Sequence, residues 1–233
     1  MARVVLVTGA NRGLGLEVVH QVVAAGDVGL LSARDVEQAR EQADRIEQAA
    51  AAADAVGRVE VVPLDVADGD SVAAAARQVE ERHGRLDALV NNAAIHYDTW
   101  QRGVDADLDV VAEAFGTNVL GVWRVTQAFV PLLMRSDRPR VVNVSSEAGS
   151  LASMGGGTPA YAVTKAALNA LTRVLAAELR PRGVLVNAIC PGWTATDMGG
   201  RGGRPVAAGA ASVLWGIDLP DDGPTGGFYR DGR

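Results

Sequence analysis

The fold of this chain is decided by residues 4–17, which read VVLVTGANRGLGLE. Residues 4–7 are all apolar, as is typical of a parallel strand that is buried on both faces. Gly9, Gly13 and Gly15 follow, and a residue without a Cβ atom can adopt positive φ and let the backbone approach a ligand. The stretch therefore predicts a strand, a tight turn and a helix that begins near Leu14.

The predicted turn has the features of an anion site. A helix N-terminus presents unpaired N–H groups and the positive end of the helix dipole, which suits a pyrophosphate. Glycines at this spacing between a strand and a helix are typical of dinucleotide-binding proteins. Similar glycine trios also occur in turns that bind nothing, so this stretch alone leaves both interpretations open.

Strand and helix patterns alternate along the rest of the chain. Apolar runs predict further strands at residues 28–32, 59–64, 86–90, 140–144 and 184–189, with a short last strand at 227–230. Helix patterns lie between them at residues 14–25, 36–56, 68–84, 108–135, 159–179 and 205–215. Pro131 is expected to bend or interrupt the fourth helix, and Thr158 to cap the fifth.

Repeated strand-helix-strand units with right-handed crossovers predict an α/β fold, a doubly wound parallel sheet flanked by helices. No linker or internal repeat divides the sequence. We therefore expect a single domain over residues 1–233. Its ligand crevice should lie at the carboxyl ends of the strands.

Length, composition and charge exclude several classes of protein. A chain of 233 residues can bury a sufficient core without disulfides, and its one cysteine, Cys190, excludes a disulfide framework or a cysteine-rich zinc site. The net charge of −6 argues against broad binding to nucleic acid or anionic membranes. Met1 leads directly into the first strand, with no signal-peptide pattern and no long apolar run. We expect a soluble, cytoplasmic protein.

Polar and flexible residues follow the predicted strands at their carboxyl ends. Besides the glycine turn, they are Arg34, Asp65, Asn91, Ser145, Ser146, Pro191 and Gly192. In an open α/β sheet these ends line the default ligand crevice. We therefore expect these residues to share one site.

Tyr161 and Lys165 are four residues apart in a predicted helix, so their side chains share a face. A phenol has an ordinary pKa near 10, and a neighbouring ammonium group stabilises the phenolate and lowers that pKa toward the range of a general acid. The pair could then donate a proton to a developing alkoxide. The alternative is an unremarkable Tyr and Lys on a half-exposed helix.

Seven motifs follow one another in one order along the chain. They are TGANRGLG (residues 8–15), LDV (64–66), NNAA (91–94), Asn118, NVSS (143–146), YAVTK (161–165) and PGWTATDM (191–198). This set closely resembles the classical short-chain dehydrogenase/reductase family and covers nearly the whole chain. Each motif alone is weak, whereas seven in register are specific.

The resemblance implies a Rossmann domain with a seven-stranded parallel sheet, a nicotinamide cofactor and no metal. It implies that Tyr161 is the general acid/base, that Lys165 holds the nicotinamide ribose and lowers the Tyr161 pKa, and that Ser146 bonds the substrate oxygen. Asn118 would hold a water that relays protons from Lys165. The cofactor-binding residues would be Gly9, Asn11, Arg12, Gly13, Leu14, Gly15, Arg34, Asp65, Val66, Asn91, Ala93, Tyr161, Lys165, Pro191, Gly192, Thr194 and Thr196.

The sequence departs from the family pattern in three places. The interval from Ser146 to Tyr161 is about two residues longer than the common spacing, so Ser145 could face the substrate instead. Ala94 stands where the family usually has glycine. The carboxyl end is short.

Charge predicts the choice of cofactor. Arg12 in the glycine turn and Arg34 after the second strand should both lie near the adenosine ribose, where an acidic residue would favour a 2′-hydroxyl. Two guanidinium groups suit a 2′-phosphate. NADP(H) is therefore favoured over NAD(H), and by the resemblance Asp65 would accept a bond from the adenine amino group.

The turn at residues 32–35, the run at 190–198 and the closing GGFYRDGR resemble the carbonyl reductase branch of the family. That implies NADPH-dependent reduction of ketones, aldehydes or quinones. Two alternatives remain: an alcohol or sugar dehydrogenase that works in the oxidative direction, and an NADP(H)-binding sensor without turnover. A homodimer or homotetramer is compatible with the family, as is a monomer.

Residues outside the motifs are assigned more modest roles. Cys190 is interpreted as a small buried residue, and His20, His83 and His96 as surface or capping residues. Trp193 either walls the pocket or packs below its loop. The glycines between residues 199 and 203 are compatible with a mobile lid.

Overall fold

The computed structural model describes residues 1–200 and 202–233. Seven strands form one sheet: β1 (Val4–Val7), β2 (Val28–Ala33), β3 (Arg58–Pro63), β4 (Ala88–Asn91), β5 (Arg140–Val144), β6 (Leu185–Cys190) and β7 (Phe228–Arg230). Their spatial order is β3-β2-β1-β4-β5-β6-β7, and every neighbouring pair is parallel. The predicted doubly wound parallel sheet is confirmed.

Helices cover both faces of the sheet. They are α1 (Gly13–Ala24), α2 (Val36–Ala52), α3 (Gly69–His83), α4 (Leu108–Phe115), α5 (Val122–Leu133), α6 (Pro159–Leu179) and α7 (Val206–Ile217). In β1, Val4 and Leu6 pack into the core that α3, α5 and α6 complete. Val5 and Val7 pack into the opposite core with α1, α2 and α7. The unbroken apolar run is therefore explained by burial on both faces.

The helix predicted over residues 108–135 is divided. A π-helical segment, Gly116–Gly121, separates α4 from α5, whereas Pro131 lies inside α5 without ending it. At the end of the π-helical segment, Gly121 packs closely against the chain that follows β3. A Cβ atom on Gly121 would lie 2.9 Å from the Val66 side chain. π-helical turns inside longer helices are frequent at functional sites.

The cap predicted for α6 is wrong. Thr158 adopts a left-handed conformation with φ of 44°, and its side chain makes no capping hydrogen bond. The cap is Asp98, whose carboxylate accepts from the N–H groups of Ala160 at 2.7 Å and Tyr161 at 3.3 Å. A distant loop thus supplies the acceptor that the local sequence lacks.

In the part of the chain that the structure describes, no helix combines the length and apolar character needed to cross a membrane.

Candidate active site

The glycine turn after β1 lies against the segment that follows β4. Thr8 Oγ1 accepts hydrogen bonds from the N–H groups of Asn92 at 2.9 Å and Ala93 at 3.0 Å. Gly9 has a φ of 61°, and a Cβ atom there would lie 3.0 Å from the Cα of Ala93. Glycine is therefore required at this position both for its backbone conformation and for space.

The N-terminus of α1 has the features of an anion site. Arg12 occupies the N-cap position without a side-chain capping bond, and the first turn holds no acidic residue. The first N–H groups of a helix lack intrahelical partners, and they carry the positive end of the dipole. Together with the close backbone approach at Gly9, this arrangement fits a pyrophosphate.

Two exposed arginines flank this turn. The N–H of Ala10 donates to the carbonyl of Ser32 at 2.8 Å, which brings the glycine turn beside the end of β2. Arg12 pairs with Asp197 at 3.6 Å, and both side chains are largely exposed. Arg34 follows β2 directly and is exposed as well. Arg12 and Arg34 therefore belong to the two segments that meet at this corner, and their binding of a 2′-phosphate stays a prediction.

Asp65 lies at the carboxyl end of β3 and is partly buried. One carboxylate oxygen accepts from the N–H of Ala67 at 2.9 Å. The cap of α3 is instead Asp68, which accepts from Asp70. Asp65 is therefore not the N-cap residue of α3.

The side chain of Asn91 does not face the crevice. It is buried, and its Nδ2 donates to Thr126 Oγ1 at 3.1 Å and to Asn143 Oδ1 at 2.9 Å. Asn143 in turn donates to Thr172 at 2.8 Å, so a polar chain links β4 and β5 to α5 and α6. The Asn91 amide nitrogen is thus used within the protein, and the cofactor-binding role of Asn91 stays a prediction.

Tyr161 and Lys165 lie together near the start of α6. The Lys165 Nζ lies 5.5 Å from the centroid of the Tyr161 ring, and it donates to the carbonyl of Val144 at 2.7 Å. Lys165 is buried, whereas Tyr161 is partly buried. The predicted sharing of one helix face is thus observed, with the ammonium group anchored at the end of β5.

The ionisation of the pair differs from the sequence expectation. Burial raises the pKa of Tyr161 to about 12; a hydrogen bond with Ser146 opposes the shift, and Cys190 adds to it. Burial lowers the pKa of Lys165 to about 8, with an opposing effect of Cys190. In the protein alone, desolvation therefore outweighs the expected lowering of the phenol pKa by Lys165.

The structure separates the two candidate serines. Ser146 lies beside Tyr161, where its side chain opposes the rise in the Tyr161 pKa, and it accepts from the N–H of Ala148 at 3.2 Å. Ser145 is buried and donates to Asn169 Oδ1 at 2.6 Å. The short turn Glu147–Gly149 packs directly on α6, since a Cβ atom on Gly149 would lie 2.6 Å from the Lys165 backbone. Ser146 is therefore the serine that meets Tyr161.

Asn118 lies in the π-helical segment and is fully buried. Its amide group binds the backbone of Ile95, accepting from N–H at 2.8 Å and donating to C=O at 3.0 Å. The same Nδ2 donates to Thr164 Oγ1 at 3.0 Å. The side chain therefore ties the loop after β4 to α6, one residue before Lys165.

The loop after β6 reaches back to the glycine turn. Gly192 has a φ of 71°, and Thr194 Oγ1 donates to its carbonyl at 3.1 Å. Thr196 packs on the turn, since a Cβ atom on Gly13 would lie 3.5 Å from the Thr196 side chain. The Trp193 indole donates to the carbonyl of Gly199 at 2.7 Å and stays 63% exposed. Of the predicted lid, residue 201 lies outside the described residues.

Sequence reasoning missed His96. Its ring stacks on Tyr161 with centroids 4.3 Å apart, so it is neither a surface nor a capping residue. The available signal was its position, five residues beyond β4 on the crevice side of the sheet. Cys190 is a free, buried cysteine, as expected of a small core residue.

Comparison with known proteins identifies the family of this chain. A family model described as short chain dehydrogenase matches residues 3–204. The chain therefore belongs to the short-chain dehydrogenase family. The protein named short-chain dehydrogenase/reductase 1 from Saponaria officinalis is 32% identical over 287 aligned positions, which cover 97% of this chain and 93% of the relative.

Two solved structures illustrate the similarity in three dimensions. The NADPH-bound carbonyl reductase from chicken fatty liver superposes with a TM-score of 0.85 at 30% identity, covering 98% of this chain and 96% of that one. Salutaridine reductase from Papaver somniferum gives a TM-score of 0.82 at 28% identity, covering 97% and 99%. This chain is similar to both over nearly its whole length.

Proposed function

We propose that this protein is an NADPH-dependent reductase that converts a ketone, aldehyde or quinone to the corresponding alcohol. The observation that carries the proposal is the cluster of Tyr161, Ser146 and Lys165 at the end of β5, on the same carboxyl edge of the sheet as the glycine turn after β1. The NADPH-bound carbonyl reductase among its structural relatives supports the same class of reaction. The substrate is a small molecule.

The residues of the crevice fit a dinucleotide. The uncapped N-terminus of α1 would hold the pyrophosphate, and Arg12 and Arg34 would bind the 2′-phosphate, which favours NADP(H) over NAD(H). Asp65 and Val66 would contact the adenine, and Thr194 and Thr196 the nicotinamide end. When bound, NADPH would supply hydride transfer to the carbonyl carbon.

The protein supplies the proton and the position. The pKa of Tyr161, about 12 because of burial, keeps the phenol protonated at neutral pH, as a general acid for reduction requires. Ser146 would bond the substrate oxygen and hold it beside the Tyr161 hydroxyl, which releases its proton to that oxygen as the alcohol forms. Lys165, with a pKa of about 8, stays largely protonated at pH 7 and stabilises the phenolate left behind.

The remaining assignments belong to the same proposal. Asn118 would hold the water that returns a proton through Lys165, and one domain over residues 1–233 would carry the whole site in the cytoplasm. The alternatives are an oxidative alcohol or sugar dehydrogenase and a non-catalytic NADP(H) sensor. The two arginines at the end of the adenosine site favour NADP(H) and with it the reductive direction.

The test is a panel of ketones, aldehydes and quinones scored by the loss of NADPH absorbance. The Tyr161→Phe variant should lose at least about 100-fold in kcat, because it removes the proton donor, and should keep its NADPH affinity in a fluorescence titration. Full turnover by that variant would refute the role of Tyr161. Binding of NADPH without turnover of any compound would favour the sensor.

A further inference from the structure

The imidazole of His96 lies flat on the phenol ring of Tyr161. The ring centroids are 4.3 Å apart, and the ring planes differ by 29°. The Nε2 atom of His96 is buried, and it has no hydrogen-bond partner among residues 1–200 and 202–233. His96 therefore contacts Tyr161 by stacking of the two rings and not by a hydrogen bond from Nε2.

The chain on the amino-terminal side of His96 is fixed to α6. Both backbone polar groups of Ile95 bind the Asn118 amide, at 2.8 and 3.0 Å. That amide also donates to Thr164, whose Oγ1 donates to the carbonyl of Tyr161 at 2.8 Å. Ile95 is buried and packs against Ala160.

The chain on the carboxyl-terminal side is fixed to the same helix. Asp98 is 1% exposed, and its carboxylate accepts from the N–H groups of Ala160 and Tyr161. The segment 95–98 is thus anchored to α6 at both ends. His96 lies between the two anchors, so its ring is held over Tyr161 by backbone geometry.

Burial favours the neutral form of the His96 ring. Burial lowers its pKa, the carboxylate of Asp98 raises it, and Lys165 lowers it again, with a net decrease from the ordinary value of 6.5. A neutral ring adds no charge beside the phenol, and it covers one face of the phenol from water. Two other titratable groups lie near Tyr161: Lys165, whose Nζ is 5.5 Å from the ring centroid, and Cys190, which raises the pKa of the phenol.

We propose that His96 is a positioning residue, whose ring fixes the orientation of the Tyr161 phenol and shields it from water. The proposal rests on the proposed function, in which the Tyr161 hydroxyl must reach the substrate oxygen. A general acid loses rate steeply when its proton is misplaced, even by about 1 Å. His96 acts through Tyr161 and need not contact the substrate.

Two variants distinguish the contribution of the planar ring of His96 from that of its nitrogen atoms. His96→Phe keeps a planar ring over Tyr161, whereas His96→Ala removes it. With a carbonyl compound that the wild-type protein reduces, His96→Ala should lower kcat about 10- to 100-fold and change KM less than about 3-fold. His96→Phe should stay within about 3-fold of wild type in both constants. Circular dichroism verifies that both variants fold.

The pH dependence supplies a readout that loss of packing alone would not move. In His96→Ala, water regains access to the phenol, so the pKa of Tyr161 falls from about 12, and the alkaline limit at which its phenolate absorbance appears shifts to lower pH. In His96→Phe the limit should stay where the wild-type protein has it. Equal kinetic constants and equal pH limits in all three proteins would overturn the proposal, as would equal losses in both variants.

A second measurement does not require turnover. Tyrosine nitration by tetranitromethane, followed by peptide mass spectrometry, should proceed several-fold faster at Tyr161 in His96→Ala than in wild type or His96→Phe. Tyr229, which contacts Trp215, is the internal reference. Equal nitration of Tyr161 in all three proteins overturns the shielding role. If wild type reduces no carbonyl compound, the proposed function fails, while nitration still decides whether His96 covers Tyr161.

Discussion

At the scale of the residue, Lys165 holds a charge inside the protein at a cost in stability. Its side chain is buried, and its Nζ is anchored by the carbonyl of Val144. Burial lowers its pKa from 10.5 to about 8 because the charged form loses its hydration. A cation is retained here despite that cost, which is typical of a site that must stabilise an anion.

Replacement of Lys165 by Met should change how stability depends on pH. Between pH 8 and 10.5 the unfolded lysine binds a proton that the folded lysine has lost, so the wild-type free energy of unfolding rises with pH in this range. Relative to Lys165→Met, wild type should gain about 2 kcal/mol from pH 7 to pH 10. Urea unfolding at both pH values measures the difference. A constant difference would contradict the lowered pKa.

The charge at Arg34 should decide the choice of cofactor. Arg34→Asp replaces a group suited to a 2′-phosphate by one that repels it, so the ratio of kcat/KM for NADPH over NADH should fall about 10- to 100-fold. Arg45→Asp changes an exposed arginine within α2 and serves as the matched control. The control should keep the wild-type ratio. An unchanged ratio in Arg34→Asp would show that this residue does not read the phosphate.

At the scale of the element, helix ends were harder to predict than helices and strands. Each predicted strand exists within one or two residues. In β1, β2, β4, β5 and β6, burial on both faces leaves a mainly apolar run that the sequence shows directly. The cap of α6 could not be predicted, because its acceptor is Asp98, far away in sequence. The π-helical segment carrying Asn118 has the apolar spacing of an ordinary helix, so periodicity does not reveal it.

In the candidate site, too, features within a local motif could be predicted and contacts between distant segments could not. The glycine turn, Ser146, Tyr161 and Lys165 could be assigned because each lies in a recognisable local motif. The stack of His96 on Tyr161 and the inward orientation of Asn91 depend on contacts between distant segments. Neither leaves a local pattern.

Asp98 should contribute more to stability than an exposed cap does. It is buried and accepts from two N–H groups of α6, so Asp98→Ala leaves both groups unpaired and should cost about 2 kcal/mol. Asp68→Ala, at the exposed cap of α3, should cost about 1 kcal/mol or less. Urea unfolding midpoints compare the two variants. Equal losses would show that burial of the Asp98 cap adds nothing.

At the scale of the whole molecule, the seven-stranded sheet brings the ends of β1, β2, β4, β5 and β6 to one edge. The glycine turn, the arginines and the Tyr161 site belong to different strand–helix units, and the parallel sheet places the ends of their strands at the same edge. A ligand that spans this crevice contacts elements on both sides of the sheet. Its binding should therefore stabilise the folded chain as a unit.

NADPH should raise the melting temperature more than NADH does. A ligand at about 100 times its Kd stabilises a protein by about 2.7 kcal/mol, which corresponds to roughly 5–10 °C for a domain of this size. Because the 2′-phosphate would bind Arg34 and Arg12, equal concentrations of NADH should give a smaller shift. Thermal unfolding monitored by circular dichroism measures both shifts, and Arg34→Asp should remove most of the difference while Arg45→Asp keeps it. Equal shifts with both cofactors in the wild-type protein would contradict the preference for NADP(H), whatever the substrate proves to be.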